Sequence, residues 1–375
     1  MADLSPLFTP YRLKGLELPN RFVMPAMQRG MCEDGRPSAA LAAYYRRRAE
    51  GGVKLIVGES AAVDHPTATR QPSSAHITAA TRDAWAHCVE EVGKAGGHML
   101  IQLWHEGAVR KDDGLSIGPS GLVQPGRPNG RAATAVELGE LVEAYARSAL
   151  VAQDAGAAGV EVHAAHGYLL DQFLWAGINL REDGYGGPDI RHRTRLPAEI
   201  VAAIRAACGP DFIISLRFSQ WKEVDYSARI AATPEELEIF TGMLKAAGVD
   251  VLHASTRRFW EPEWPGDARN LAGWTKATGG LPVITVGSVG LDTDVMTTFI
   301  EGKDARPRVV EAIEDLETRI AAGEFDLVAV GRALIGDPDF VRKIEAGEQG
   351  TIRHFARADL GALEWDTDII HAAHG

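Results

Sequence analysis

Two histidines and a tyrosine, His163, His166 and Tyr168, fall within six positions of the stretch GVEVHAAHGYLLDQFLWAGIN, which runs from Gly159 to Asn179. The stretch reads as a short buried strand, Gly159 to Ala165, leading directly into a turn. Side chains alternate along a strand, so Glu161 and His163 share one face while Val160 and Val162 share the other. His166 and Tyr168 then fall just past the C-terminal end, where parallel α/β proteins carry their chemistry. Two imidazoles and a phenol supply three hydrogen-bond donors near one point, with no Ser or Cys nucleophile beside them. Such a set polarises a carbonyl oxygen and delivers a proton. A single histidine at a strand end is usually a satisfied structural group. Three polar groups on an otherwise apolar strand are harder to explain that way, because buried polar groups are costly unless bonded. A zinc site is the rival functional reading, since two imidazoles can ligate a metal. No Cys or carboxylate sits at ligand spacing around them, which favours no metal.

The elements that must hold this group recur along the chain. Short apolar, β-branched runs alternate with helical patterns, the signature of a parallel sheet with crossover helices. The runs are Arg21 to Met27, Val53 to Ser60, His98 to Trp104, Gly159 to Ala165, Phe212 to Phe218, Asp250 to Ser255, Pro282 to Ser288 and Asp326 to Arg332. Helical patterns cover Ala39 to Glu50, Thr81 to Ala95, Val136 to Ala155, Arg191 to Ala207 and Thr233 to Ala247, the last with Pro234 in its first turn. Eight such units predict a (β/α)8 TIM barrel, an α/β fold, as a single domain over residues 1–375. The long connections follow strands three to six: His105 to Thr134, Gly167 to Pro188, Ser219 to Ala232 and Thr256 to Asn270. They put the extra residues on the catalytic face of a barrel.

Composition narrows the partners. Hydrophobic residues make up 45% and charged residues 24%, as in an ordinary globular protein, and the net charge of -12 argues against nucleic acid. Cys32, Cys88 and Cys208 are far apart and in no CxxC pair, which fits a reducing compartment. Neither a basic-then-apolar leader nor a run of eighteen apolar residues is evident, so a cytoplasmic protein without a membrane partner is expected. It could be a monomer or a homo-oligomer, and Glu364 to Ile370 is a stretch that could reach a neighbouring subunit's site.

Polar exceptions in the strands cluster near the C-terminal ends: Gln28, Glu59, Ser60, Gln102, His163, Arg217, Ser255, Ser288 and Arg332. Amides, hydroxyls and one guanidinium suit a planar heterocycle with carbonyls and ring nitrogens. Arg217 could offset negative charge on such a ring, or form an interior ion pair with Glu59 or Glu161. The seventh and eighth strands end in TVGSVG and AVGRALIGDP. In barrels those two ends commonly bind phosphate through backbone N–H groups, and Arg332 would add a charged donor. No GxGxxG fingerprint follows any strand, so a nicotinamide cofactor would bind at the barrel mouth itself.

The chain resembles the Old Yellow Enzyme family of FMN-dependent ene-reductases over nearly its whole length. The resemblance rests on LFTPYRLKGLELPNRFVMPAM, LIQLW, GVEVHAAHGYLLDQFL, REDGYGG, ISLRFS, VGS and DLVAVGRALIGDPDF. It implies tightly bound FMN and NADH or NADPH as the transient reductant. By position, Pro25, Ala26 and Met27 match the backbone lying against the flavin, and Ser60 and Gln102 match groups on its pyrimidine. Arg217 matches the arginine beside N1, while Gly287, Ser288, Gly331 and Arg332 match the phosphate cradle. His163 and His166 match the pair that binds the substrate oxygen, two histidines where other members have His and Asn, and Tyr168 matches the proton donor. Gln28 stands where members usually carry Thr or Cys beside C4=O, and Gly30 where a subgroup has a tyrosine. Trp104, Phe259 and Trp260 are expected to wall the substrate pocket, with surface packing the alternative for the last two.

The implied reaction is a two-step cycle. NAD(P)H reduces FMN, which then reduces an α,β-unsaturated ketone, aldehyde, imide or nitroalkene, with hydride to the β-carbon and a proton from Tyr168 to the α-carbon. The alternatives are a metal-assisted barrel hydrolase using His163, His166 and His105, a flavin-binding protein without turnover, and relatives that oxidise or demethylate with the same flavin.

Overall fold

The computed structural model describes residues 6–111, 114–300 and 302–363, without the side chains of Phe299 and Ile300. Eight parallel strands close into a barrel: β1 Phe22–Met24, β2 Leu55–Val63, β3 His98–Trp104, β4 Gly159–His166, β5 Ile213–Lys222, β6 Val251–Ser255, β7 Val283–Val286 and β8 Leu327–Ala329. Each strand pairs with its neighbours in sequence, and β1 pairs with both β8 and β2, which closes the ring. An antiparallel hairpin, Tyr11–Leu13 with Leu16–Leu18, lies under the barrel. Its Leu13 and Leu18 pack in one buried cluster with Val23, Leu55, Leu100, Ile213, Val251, Ile284 and Leu327, so the N-terminal end of the barrel is sealed with hydrocarbon.

The outer helices start and stop where local chemistry allows. In α1, Ala39–Glu50, the Ser38 side chain accepts the Leu41 N–H. The long α3, Ala135–Asp154, begins in a capping box in which Thr134 Oγ1 accepts the Glu137 N–H and the Glu137 carboxylate accepts the Thr134 N–H. In α5, Pro234–Ala247, Thr233 is the cap, and the helix ends on Gly248 in the left-handed region at φ 109°. Helices α2, Arg82–Lys94, and α4, Ile190–Cys208, pack beside them. No helix among the described residues is long and apolar enough to cross a membrane.

Two departures from the sequence expectation shape the mouth. Strand β5 continues four residues past Phe218, and β4 carries a register shift between Ala164 and His166 that pairs His166 with Lys222. The added strand turns the start of the fifth βα connection into a wall of the site. A second shift, between Gly58 and Ser60, interrupts the pairing of β2 with β3 at Glu59. Glu59 is fully buried, and its carboxylate accepts the Arg29 N–H at 2.7 Å and the Cys32 thiol at 3.2 Å. It is therefore engaged with the segment after β1 and forms no ion pair with Arg217 among the described residues.

Candidate active site

A cavity of about 300 Å³ opens at the C-terminal mouth of the barrel. Pro25, Ala26, Met27, Gln28, Ser60, Gln102, His163, His166, Tyr168, Arg217, Gly287, Ser288, Gly331 and Arg332 all line it, drawn from the ends of seven strands.

The catalytic-type group is built by β4 and the turn after it. His166 has a positive φ of 67°, a strained conformation for a residue with a Cβ. Its N–H donates to Ser219 Oγ at 3.0 Å, and its Nε2 lies 2.9 Å from Ser255 Oγ. Gly167 donates its N–H to Asp171 Oδ2 at 2.6 Å, while Asp171 Oδ1 accepts from Lys222 Nζ at 2.6 Å. Lys222 also donates to the carbonyls of Ser219 and Gln220, and both members of the ion pair are completely buried. The turn is further tied to the loop after β3: Leu169 N donates to His105 O, Gln172 Nε2 donates to Gly167 O, and Gln172 Oε1 accepts Ala108 N. Gly107 allows that contact, since a Cβ there would lie 2.5 Å from Gln172 Oε1.

The three rings meet. His163 and His166 centroids are 5.2 Å apart, and His163 and Tyr168 5.4 Å. Burial pushes the His163 imidazolium down to about 3, with the Arg217 charge acting in the same direction. Burial and Arg217 likewise hold His166 well below its ordinary value. Burial raises the Tyr168 phenol, so at neutral pH two uncharged imidazoles face a protonated phenol. His163 Nδ1 is buried and has no protein partner.

Beneath the rings runs a polar chain. Ser60 Oγ donates to Gln102 Oε1 at 2.5 Å, and Gln102 Nε2 donates to Glu161 Oε1 at 2.8 Å. Glu161 Oε2 accepts from Ser215 Oγ and lies 2.8 Å from His253 Nδ1. Burial alone would raise the Glu161 carboxyl, but His253, Arg217 and Gln102 bring it down to about 2. His253 is pushed down by burial and is neutral, so its proton must sit on Nδ1, because the carboxylate only accepts. Arg217 is then the counter-charge. It makes no direct pair with Glu161; Nη1 donates to Ala26 O at 3.2 Å, Nη2 donates to Ser255 Oγ at 3.3 Å, and Nε is unpartnered.

At the opposite side of the cavity Ser288, with φ 51°, accepts from Arg332 Nη2 at 3.3 Å, and Arg332 Nη1 donates to Thr298 Oγ1 at 2.8 Å. Burial lowers the Arg332 guanidinium to about 10, still charged at neutral pH. The two glycines differ. A Cβ on Gly331 would make only ordinary contacts with Met27 and Pro25, whereas one on Gly287 would strike Thr256 Oγ1 at 2.4 Å. Gly287 is thus required by the packing of the β6 loop. Gln28 turns its amide to Ser74 Oγ at 2.5 Å, and no heavy atom lies within 4 Å of a Cβ built on Gly30.

Two expected pocket residues, Phe259 and Trp260, lie elsewhere, and the third, Trp104, lines an adjoining cavity. Phe259 is fully buried in the core, because its N–H donates to Gly287 O and its carbonyl accepts from Asn270 Nδ2, which fold the β6 loop back over β7. Trp260 meets Phe259 edge-on and lies under the Arg308 guanidinium at 4.1 Å. Trp104 lines an adjoining cavity, with its ring 5.4 Å from Tyr168. His105, the third imidazole of the hydrolase alternative, is engaged at both nitrogens, by Thr67 Oγ1 and Gly107 N. No group of three or more His, Cys, Asp or Glu among the described residues is arranged to hold a metal ion.

Other lining residues were not anticipated. Trp221 stacks on His166 at 4.8 Å and donates from Nε1 to Ser255 O; Glu223, Thr256, Arg257 and Leu360 also line the cavity. Arg217, Ser219, Trp221 and Glu223 follow a period of two, so extending β5 beyond Phe218 would have found Trp221 and Glu223. Leu360 is brought in by Arg29, whose Nη2 donates to the carbonyls of Asp359, Leu360 and Ala362. No short-range pattern announces that contact. The stretch Glu364 to Ile370 lies outside the described residues.

A closed eight-stranded parallel barrel with its polar cavity at the C-terminal mouth is the architecture of a barrel enzyme. The model of the NADH:flavin oxidoreductase / NADH oxidase family matches residues 6–305. An NADH oxidase of Thermoanaerobacter brockii is 32% identical over 383 positions, which cover 97% of this chain and 54% of that protein. The chain thus spans about half the length of that relative. An NADPH dehydrogenase of Halalkalibacterium halodurans is 32% identical over 360 positions, covering 92% of this chain and 95% of that one. The solved structure of morphinone reductase in complex with tetrahydroNAD is 26% identical, with a TM-score of 0.77 over 94% of this chain and 93% of that one. The chain belongs to the NADH:flavin oxidoreductases of the Old Yellow Enzyme family, which are flavin-dependent oxidoreductases.

Proposed function

We propose that this barrel, as one FMN-binding domain, is an NAD(P)H-dependent ene-reductase acting on activated alkenes. The observation that carries the reading is the meeting of two neutral imidazoles and a protonated phenol on the wall of one cavity. The donor set fits FMN. Arg217 brings a charge not bonded to any carboxylate, with its Nε free, and Ser288 and Arg332 offer a hydroxyl and a guanidinium for a phosphate. Ser60, Gln102 and the carbonyl-rich segment Pro25 to Gln28 offer polar edges for a heterocycle.

Bound FMN supplies the two-electron transfer between NADH or NADPH and the alkene. His163 and His166, uncharged at working pH, each offer one ring N–H to the carbonyl, imide or nitro oxygen and stabilise the charge that develops there. Tyr168 keeps its proton until the α-carbon accepts it. Trp221 and the Asp171–Lys222 pair hold His166 against that oxygen, and Arg217 offsets negative charge on the cofactor side.

The test is Tyr168→Phe followed by anaerobic stopped-flow at the flavin absorbance. Reduction by NADPH should keep nearly its parental rate, while reoxidation by an enone should slow by roughly 10² to 10⁴-fold, as for loss of a positioned general acid. Equal slowing of both halves at unchanged FMN content would mean that the proton comes from elsewhere. A purified protein that is colourless and takes up no FMN would overturn the whole reading.

A further inference from the structure

A second cavity of about 310 Å³ adjoins the first, and Gln28, His166, Tyr168 and Glu223 line both. A molecule with its reacting end beside Tyr168 therefore has continuous space for the remainder. The walls of this chamber are unusual in charge. Glu106 and Glu223 both line it, no Arg or Lys does, and neither carboxylate forms an ion pair among the described residues. Glu106 is 4% exposed; its Oε1 accepts from Gln71 Nε2 at 2.5 Å, while its Oε2 has no partner. Independently of the carboxylates, Trp104 is 2% exposed and lines the same chamber. Its ring stands edge-on to Tyr168 at 82°, giving the chamber two aromatic walls.

A buried carboxylate oxygen without a partner, as on Glu106 beside the half-buried Glu223, is costly, and aromatic faces attract cations. Together they make a site that is incomplete until a cation enters. We infer that this chamber binds an ammonium group on the far end of the substrate, so that the preferred substrate is an activated alkene carrying a basic or quaternary nitrogen. The inference rests on the ene-reductase reading for the position of the alkene, but not for the binding of the cation. Burial, which raises the Glu223 carboxyl to about 7, is the same desolvation that a bound cation would offset.

The experiment uses FMN-loaded full chain and three cyclohexenones with the same alkene, bearing a trimethylammonium, a tert-butyl or a carboxylate group. Their saturated ketone counterparts serve as non-reacting ligands. Calorimetric titration should show the trimethylammonium ketone binding at least roughly tenfold tighter than the tert-butyl isostere, as expected for a desolvated cation on aromatic and carboxylate groups. The carboxylate analogue should bind worst. The preference should collapse towards unity in Glu106→Gln with Glu223→Gln, and kcat/KM of the enones should follow the same order. Equal binding of the cationic and neutral ketones by the parent protein overturns the inference, whether or not the variants fold. A cation preference that survives intact in the double variant overturns it as well. Binding with the expected preference but no turnover of any enone would instead sink the ene-reductase reading and leave the cation site standing.

Discussion

The Asp171–Lys222 pair gives the sharpest stability prediction, because both groups are completely buried and join the turn at Gly167 to the carbonyls of Ser219 and Gln220 in β5. In Lys222→Met the carboxylate of Asp171 would remain in the core with the Gly167 N–H as its retained donor, and the carbonyls of Ser219 and Gln220 would lose theirs. Removing one partner of a buried pair costs about 3–5 kcal/mol, much of it the uncompensated charge left behind. Unfolding entropy of about 2.1 cal/mol/K per residue gives about 0.8 kcal/mol/K for this length, so Tm should fall by about 4–6 °C. The double variant Asp171→Asn with Lys222→Met should recover most of the loss, since no charge is stranded. Calorimetric melts of the FMN-loaded proteins at neutral pH would read both numbers. The same variants report on the site: with the Gly167 N–H anchor weakened, His166 should relax from its positive φ, and affinity for a saturated ketone should fall in Lys222→Met more than FMN content does. A single variant that melts within about 1 °C of the parent, or a double variant that recovers none of the loss, would show that the pair does not hold the turn.

Arg217→Ala should reduce FMN retention and shift the flavin midpoint potential, with Arg217→Lys intermediate because it keeps the charge and loses the two-armed contact to Ala26 and Ser255; equal FMN content and an unchanged midpoint in the alanine variant would remove Arg217 from the cofactor site. Acid should destabilise the fold from about pH 6.5 downward. The folded-state value of His163 is depressed to about 3, so the unfolded chain takes up a proton that the fold refuses, and stability is lost as pH falls, by about 1.4 kcal/mol per unit for each such group. Glu161, held at about 2, adds a loss in the same direction below its ordinary value near 4.5. The Tm-against-pH slope of His163→Gln should be shallower than the parent's between pH 6 and 4, and parallel slopes would mean that His163 is protonated in the fold.

Much of this protein is legible without its structure. The alternation of apolar runs and helical patterns is local physics, and the long connections after strands three to six mark the working face. Polar residues on apolar strands were likewise informative: Ser60, Gln102, His163 and Arg217 line the cavity because a polar side chain inside a barrel must serve either a ligand or a network. The motif at His163 to Tyr168 sets three polar rings within six positions, and all three line the cavity.

What tertiary structure decided is which of those side chains meet, and in which state. The length of β5 depends on its hydrogen-bonding partner, so the period of two from Arg217 to Glu223 becomes a wall of the site only because Lys222 pairs with His166. Phe259 and Trp260 have the composition of pocket walls, yet backbone bonds to Gly287 and Asn270 draw the loop into the core. Leu360 reaches the cavity through Arg29, more than 300 positions away in sequence. The sequence by itself determined the periodicities, the caps and the inventory of donors, since these depend on neighbours a few residues apart. The neutral histidines and the charge on Glu161 depend on desolvation and on partners from distant strands, and those exist only once the barrel has closed.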